Sequence, residues 1–137
     1  MILVEEKFLA DEEATREAGR NLAPLLSSGS LVLLFGNLGA GKTTFVRGVL
    51  EALGHVGPVR SPTFNLLQTF DTDPPVVHAD LYRLGSMEGV GLEDYFDSHA
   101  VLIEWPEVAA DWVNVPDRIE VRLDFHEGGR TLTVTRV

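Results

Sequence analysis

The chain has 137 residues, 45% of them hydrophobic, enough for one core in one domain spanning residues 1–137. Eleven Lys and Arg against 21 Asp and Glu give a formal charge of −10, which argues against a freestanding nucleic-acid binder, because such proteins need excess positive charge against phosphate. With no cysteine, disulfides, Cys-ligated zinc, iron–sulfur clusters and a thiolate nucleophile are excluded.

Met1 to Val4 run straight into Glu5 and Glu6 without a basic start or a long apolar stretch, so a soluble, cytoplasmic protein with no membrane association is expected. Asp11 can cap a helix whose first turn holds Glu12 and Glu13, with Ala14, Ala18, Leu22, Leu25 and Leu26 near helical spacing and Pro24 forcing a kink or an early end. Leu31 to Phe35 is an unbroken apolar run, as suits a strand covered on both faces of a parallel sheet. A Gly-rich turn follows, then a helix over Lys42 to Leu53 that Gly54 can stop. Further strands are expected at Phe64 to Phe70, Val76 to Ala79 and Val101 to Glu104, with short helices within Met87 to Phe96 and Glu107 to Val113. Finally, Ile119, Val121, Leu123 and Phe125 alternate with charged residues before Gly128–Gly129 and a second alternating run, which predicts an antiparallel hairpin. The sum is an α/β three-layer sandwich of the P-loop NTPase kind, its parallel core sheet extended by the C-terminal hairpin into a mixed sheet.

The turn GNLGAGKTT, Gly36 to Thr44, matches GxxxxGK[ST] and falls between an apolar strand and a helix start. In this pattern the glycines let backbone N–H groups wrap a polyphosphate while the helix end faces it. Lys42 would neutralise the β- and γ-phosphates and the Thr43 hydroxyl would ligate Mg²⁺. Thr44 reads as a helix residue or an α-phosphate contact. Lys42, Arg47 and Arg60 face a single acid, Glu51, between Gly36 and Phe64, so cations gather here in an acidic protein. Arg47 fits that cluster or an ordinary solvated helix face.

Magnesium on a triphosphate takes one or two protein oxygens, which directs attention to acids at the ends of buried strands. VVHAD ends in Asp80 and VLIEW carries Glu104. Either can bind the metal directly, leaving the other to hold a metal-bound water or orient the attacking one. His78 shares a strand face with Asp80, where it positions that carboxylate, senses phosphate or simply packs. Arg83 either offsets phosphate charge or pairs with nearby acids. Thr63, in the Pro-stiffened SPTF loop, can reach Mg²⁺ or the γ-phosphate.

Together GNLGAGKTT, SPTF, HADLYR and IEWPE resemble, in order and spacing, the TsaE family of bacterial ATPases needed for threonylcarbamoyladenosine formation in tRNA. DEEAT, Asp11 to Thr15, resembles the start of that family, so the similarity runs from about Asp11 into the hairpin. The resemblance implies binding and hydrolysis of ATP with Mg²⁺ in service of two partner proteins, TsaD and TsaB. It also implies that tRNA is reached only through that complex, whose cycle hydrolysis resets. By matching position it implies that Gly36, Gly39, Gly41, Lys42, Thr43 and Thr44 hold phosphates, with Asn37, Leu38 and Ala40 completing the loop. It further implies that Thr43 and Glu104 contact magnesium, Asp80 serves hydrolysis, Thr63 is the switch-loop threonine, Trp105 lies beside the nucleotide and Glu12 approaches the base. Asn37 departs from the Asp common in relatives.

Rival readings are weaker. NVPD, Asn114 to Asp117, lacks the lysine of a guanine-reading NKxD, and a small-molecule kinase needs an acceptor site and lid for which 137 residues leave little room. A nucleotide-gated binding module with negligible turnover draws support from Gly85 to Asp117, which holds eight acids and no Lys or Arg, interleaved with Tyr95, Phe96, Trp105 and Trp112. That stretch fits either a docking surface for a basic partner or packed aromatics among solvated acids.

Overall fold

A computed structural model of the chain describes residues 2–59, 67–81, 91–106 and 115–137. In chain order these are Ile2–Leu9 (β1), Glu12–Leu22 (α1), Leu31–Phe35 (β2), Lys42–Ala52 (α2), Leu67–Phe70 (β3), Val76–Asp80 (β4), Ala100–Glu104 (β5), Ile119–His126 (β6) and Gly129–Arg136 (β7), with 3-10 turns at Ala23–Leu25 and Leu92–Tyr95. Arg60, the SPTF loop with Thr63, Arg83, Trp112 and the expected helix at Glu107 to Val113 lie outside the described residues.

The seven strands make one mixed sheet in the order β1-β7-β6-β2-β5-β4-β3. Neighbours β6, β2, β5 and β4 run parallel, while β3 on one side and β7 on the other run antiparallel to theirs. The unbroken apolar run becomes β2, and β2, β4 and β5 are buried at every residue, as strands covered on both faces require. In β6, Ile119, Val121 and Leu123 turn inward and the charged residues between them outward, so the expected hairpin forms and extends the parallel core.

The two faces carry separate cores. Val32, Leu34, Val76, Leu102, Val121 and Leu132 pack under both helices, against Leu22, Phe45, Val49 and Leu50. Leu33, Val77, Ala79 and Ile103 face the other way, beneath Leu81, Leu92, Tyr95 and Trp105. Each buried Leu or Phe contributes roughly 1.5–3 kcal/mol, so the central strands, which give side chains to both cores, hold the layers together.

Asp11 caps α1 as expected, its carboxylate accepting the Ala14 N–H at 2.8 Å. The chain leaves α1 through the 3-10 turn containing Pro24. One strand departs from expectation: β1 was read only as an apolar start running into acids, yet it pairs with β7 along its length. As an edge strand it leaves Ile2, Leu3, Val4 and Phe8 exposed, and a register shift between Leu3 and Glu5 breaks its alternation. Only Leu9 is buried. Without a period of two, no strand is legible there.

The helices α1 and α2 cross at two glycines. A Cβ on Gly48 would fall 1.9 Å from the Arg16 carbonyl oxygen, and one on Gly19 would fall 2.1 Å from that of Phe45. Helix propensity alone predicts that Gly48→Ala stabilises the protein by about 0.5–1 kcal/mol. The contact predicts a loss of about 1–3 kcal/mol instead, as the helices are forced apart. The urea unfolding midpoint distinguishes them, and a rise would refute the close crossing.

Candidate functional site

The strands β2, β4 and β5 end side by side, so the segment after β2 and the last residues of β4 and β5 meet at the carboxyl edge of the parallel sheet, where ligands bind in open α/β folds. Gly36 leaves β2 with φ +155°, and a Cβ there would sit 2.7 Å from the Leu123 carbonyl oxygen on β6, so the loop is laid against the hairpin. Gly39 and Gly41 adopt φ +82° and +107°, the left-handed region that glycine alone enters without strain. Gly41 is the residue before α2 and also packs on Thr15 of α1, leaving 3.3 Å between a Cβ there and the Thr15 methyl. The loop therefore runs directly into the positive end of an 11-residue helix.

Lys42 is 5% exposed, an unusual burial for a lysine. Its Nζ donates to the Gly36 carbonyl oxygen at 2.6 Å and stands 3.4 Å from the centre of the Trp105 ring. Trp105 itself takes φ +60°, a conformation costly for a bulky residue, immediately after Glu104 ends β5. That reversal brings the indole face beneath the ammonium.

Asp80 and Glu104 are register partners across β4 and β5, both buried. Glu104 Oε2 accepts from Thr43 Oγ1 at 3.0 Å and from His78 Nε2 at 2.6 Å. Burial acts most strongly on this carboxyl and pushes its pKa up, but the His78 hydrogen bond and charge, the Thr43 hydroxyl and the Lys42 ammonium together hold it below the ordinary value of 4.5. Glu104 is thus a carboxylate at neutral pH. His78 was expected to position Asp80; the structure instead directs its Nε2 to Glu104, because β4 and β5 align in register and place both side chains on the α2 side of the sheet.

Beside the loop lies a cavity of about 280 Å³ between the start of α1, with Glu12 and Thr15, the loop at Gly39 to Gly41, and the start of β7 at Arg130. Thr44 Oγ1 donates to Glu12 at 3.4 Å, so these two face each other across its floor. Arg47 donates to the Val59 carbonyl at 3.2 Å and approaches Glu12 at 3.9 Å, tying α2 to its own exit loop. Asn37 closes a turn through its carbonyl, which accepts the Ala40 N–H, while the Leu38 side chain is 78% exposed at the loop tip.

The residues fit a polyphosphate and a hard cation. Gly39 and Gly41 hold the loop backbone in the left-handed conformations such a turn needs, and Thr43 Oγ1 and Glu104 Oε2 are adjacent oxygen donors of the kind Mg²⁺ takes. Among the described residues no group of three or more His, Asp or Glu side chains converges on a metal position, so a cation here would draw on few protein ligands and keep waters.

Arg130 was missed from the sequence. It donates to the Gly39 carbonyl at 3.2 Å and stacks on Phe125 at 4.4 Å, although it lies 91 residues beyond the loop. Its only sequence signal is a basic residue directly after the hairpin turn. Leu9, also lining the cavity, was missed together with β1.

These features define an α/β domain with a Gly-rich loop between a buried strand and a helix, and paired acids at the sheet edge. The profile of the family described as "Threonylcarbamoyl adenosine biosynthesis protein TsaE" matches residues 9–132, and the chain belongs to that family. Proteins named tRNA threonylcarbamoyladenosine biosynthesis protein TsaE share 42% identity in Streptomyces coelicolor (88% of each chain), 35% in Haemophilus influenzae (92% of this chain, 85% of that one) and 38% in Rickettsia bellii (96% and 94%). The crystal structure of Bacillus subtilis YdiB superposes with a TM-score of 0.81 at 28% identity, covering all of this chain and 88% of that one. Among the described residues no helix is long and apolar enough to cross a membrane.

The depressed Glu104 pKa links stability to pH. A carboxyl whose folded value lies below its unfolded one adds stability above the unfolded value and loses it as pH falls through the folded one. In the ligand-free protein with chelator present, the stability advantage of wild type over Glu104→Gln should be full at pH 7 and shrink as pH falls below 4.5. Denaturant midpoints across that range measure it; a constant difference would contradict the assigned charge.

Proposed function

We propose that this chain binds ATP with Mg²⁺ at the Gly-rich loop and hydrolyses it, serving N6-threonylcarbamoyladenosine formation at position 37 of tRNA by acting on a TsaD–TsaB complex in the cytoplasm. The observation that carries this reading is the meeting of Thr43 and Glu104 at the loop's helix end, 3.0 Å apart, within a family of threonylcarbamoyl adenosine biosynthesis proteins. The curated relatives bear names in the same pathway.

In this reading the amides of Gly36 to Thr44 and the Lys42 ammonium hold the phosphates, Lys42 exchanging the Gly36 carbonyl for phosphate oxygen. Asn37, Leu38 and Ala40 shape the loop, and Thr43 with Glu104 supplies the protein oxygens for the metal, Asp80 standing next to them. Held there, Mg²⁺ would offset the charge of the phosphates. Asp80, at the end of β4 and 8% exposed, orients water and takes its proton as oxygen attacks the γ-phosphorus and the bond to the β-phosphate oxygen breaks, giving ADP and phosphate. Trp105 walls the site beside Lys42, and Glu12 with Thr15 lines the cavity available to the base. Thr63 completes the site as the switch-loop threonine. The −10 net charge suits contact with tRNA through partners rather than directly.

Phosphate release from ATP, with and without TsaD and TsaB, tests the proposal. Lys42→Ala should weaken ATP binding by at least about tenfold and abolish release, whereas Asp80→Ala should leave binding within about twofold and lower release by about 10² or more. Full turnover in Asp80→Ala would remove it from the mechanism, and absence of ATP binding by the folded wild type would defeat the whole reading.

A further inference from the structure

His78 is a buried imidazole with one nitrogen engaged and one left over. Its side chain is wholly inaccessible. Nε2 lies 2.6 Å from Glu104 Oε2, the oxygen that also accepts from Thr43. To bond a carboxylate, Nε2 must carry a hydrogen, which leaves Nδ1 an acceptor in the neutral ring and a donor in the charged one. Nδ1 is buried with no hydrogen-bond partner among the described residues. On the neighbouring strand β3, Gln68 has the same deficit: its Oε1 is buried and has no partner.

These two orphans belong to register partners, since Gln68 stands opposite His78 in the antiparallel β3–β4 ladder. Side chains directly opposite on such a ladder share a face with Cβ atoms about 4.5–5.5 Å apart. A half-turn of the Gln68 amide, whose O and N are interchangeable in shape, exchanges its stranded acceptor for an N–H donor. Turned this way the amide can donate to Nδ1 of a neutral ring, and unturned its Oε1 can accept from Nδ1 of a charged one, directly or through a water. Leaving both unmet would carry the full desolvation penalty of each.

We propose that Gln68 and His78 are positioning residues of the magnesium site: the Gln68 amide, bonded to Nδ1, holds the His78 ring with its Nε2 hydrogen toward Glu104, and His78 in turn aims the Glu104 carboxylate at the position shared with Thr43. The proposal rests on the reading of Glu104 and Thr43 as metal contacts. It extends the site from the sheet edge across β4 to β3, a strand no motif singles out. His78 acts through Glu104; it restricts the rotation of a carboxylate that otherwise, among the described residues, has the Thr43 hydroxyl alone as hydrogen-bond donor to that oxygen.

Calorimetric titration of ATP at stepped MgCl₂ concentrations, and separately in EDTA, reads metal use without any turnover. His78→Ala should raise the half-saturating Mg²⁺ concentration by about tenfold or more while ATP affinity in EDTA stays within about twofold. His78→Gln, whose amide N–H can replace the Nε2 donor, should recover most of the shift, a pattern that mere loss of packing does not give. Gln68→Met, similar in shape but without donor or acceptor, should raise the Mg²⁺ requirement about three- to fivefold. If His78→Ala does not fold, the Gln variant and Gln68→Met carry the test. Magnesium curves of Gln68→Met superposing on wild type would overturn the Gln68 link, and an unshifted His78→Ala, or His78→Gln as impaired as His78→Ala, would overturn the role of His78. A wild type that binds ATP and responds to Mg²⁺ while every variant matches it defeats this proposal alone; a wild type with no Mg²⁺ response defeats the site assignment beneath it.

Discussion

One carboxylate oxygen joins the parts of this molecule that matter for its chemistry. Glu104 Oε2 receives a hydroxyl from α2 and an imidazole from β4 while its own backbone belongs to β5. Burying that charge is expensive unless donors surround it, and removing either donor leaves an incompletely matched ion in the interior. The carboxylate therefore fixes the start of α2 relative to the ends of two central strands. The glycine loop, suspended between β2 and α2, inherits its shape from both anchors.

The rest of the architecture serves that placement. Four parallel strands bring their carboxyl ends to one edge, and the double-faced burial of β2, β4 and β5 makes that edge rigid. The helices lie close because glycines meet at their crossing, which draws Thr15 of α1 against Gly41 of the loop. From the opposite direction the hairpin supplies Leu123 beneath Gly36 and Arg130 beside Gly39. Three segments distant in sequence thus set the backbone of a single turn.

Most of this was legible in the residues, for identifiable reasons. An unbroken apolar run gave β2, short apolar stretches reaching an acid gave β4 and β5, alternation gave β6 and β7, and an Asp followed by acids gave the α1 cap, since each pattern follows from burial or from a free helix end. What could not be read required knowledge of neighbours. The edge strand β1 has no alternation because water covers much of it. Arg130 reaches the loop only through the β6–β7 fold-back. His78 shares its strand face with Asp80, so sequence spacing pointed there, while the actual partner is set by the alignment of β4 with β5. The helix crossing was hidden for the same reason: Gly19 and Gly48 look like poor helix residues until the carbonyls opposite them are known.

The strand order has a bearing on how the polypeptide reaches its native form. β1 has one neighbour, β7, and Leu9 waits for Arg130 before its ladder can close, while β2 must find β6 across most of the intervening chain. Such distant pairings carry a high loop-closure cost and slow the search. During synthesis on a ribosome β1 stays without its strand partner until the hairpin has emerged, so its backbone donors and acceptors remain bonded to water until β7 is made.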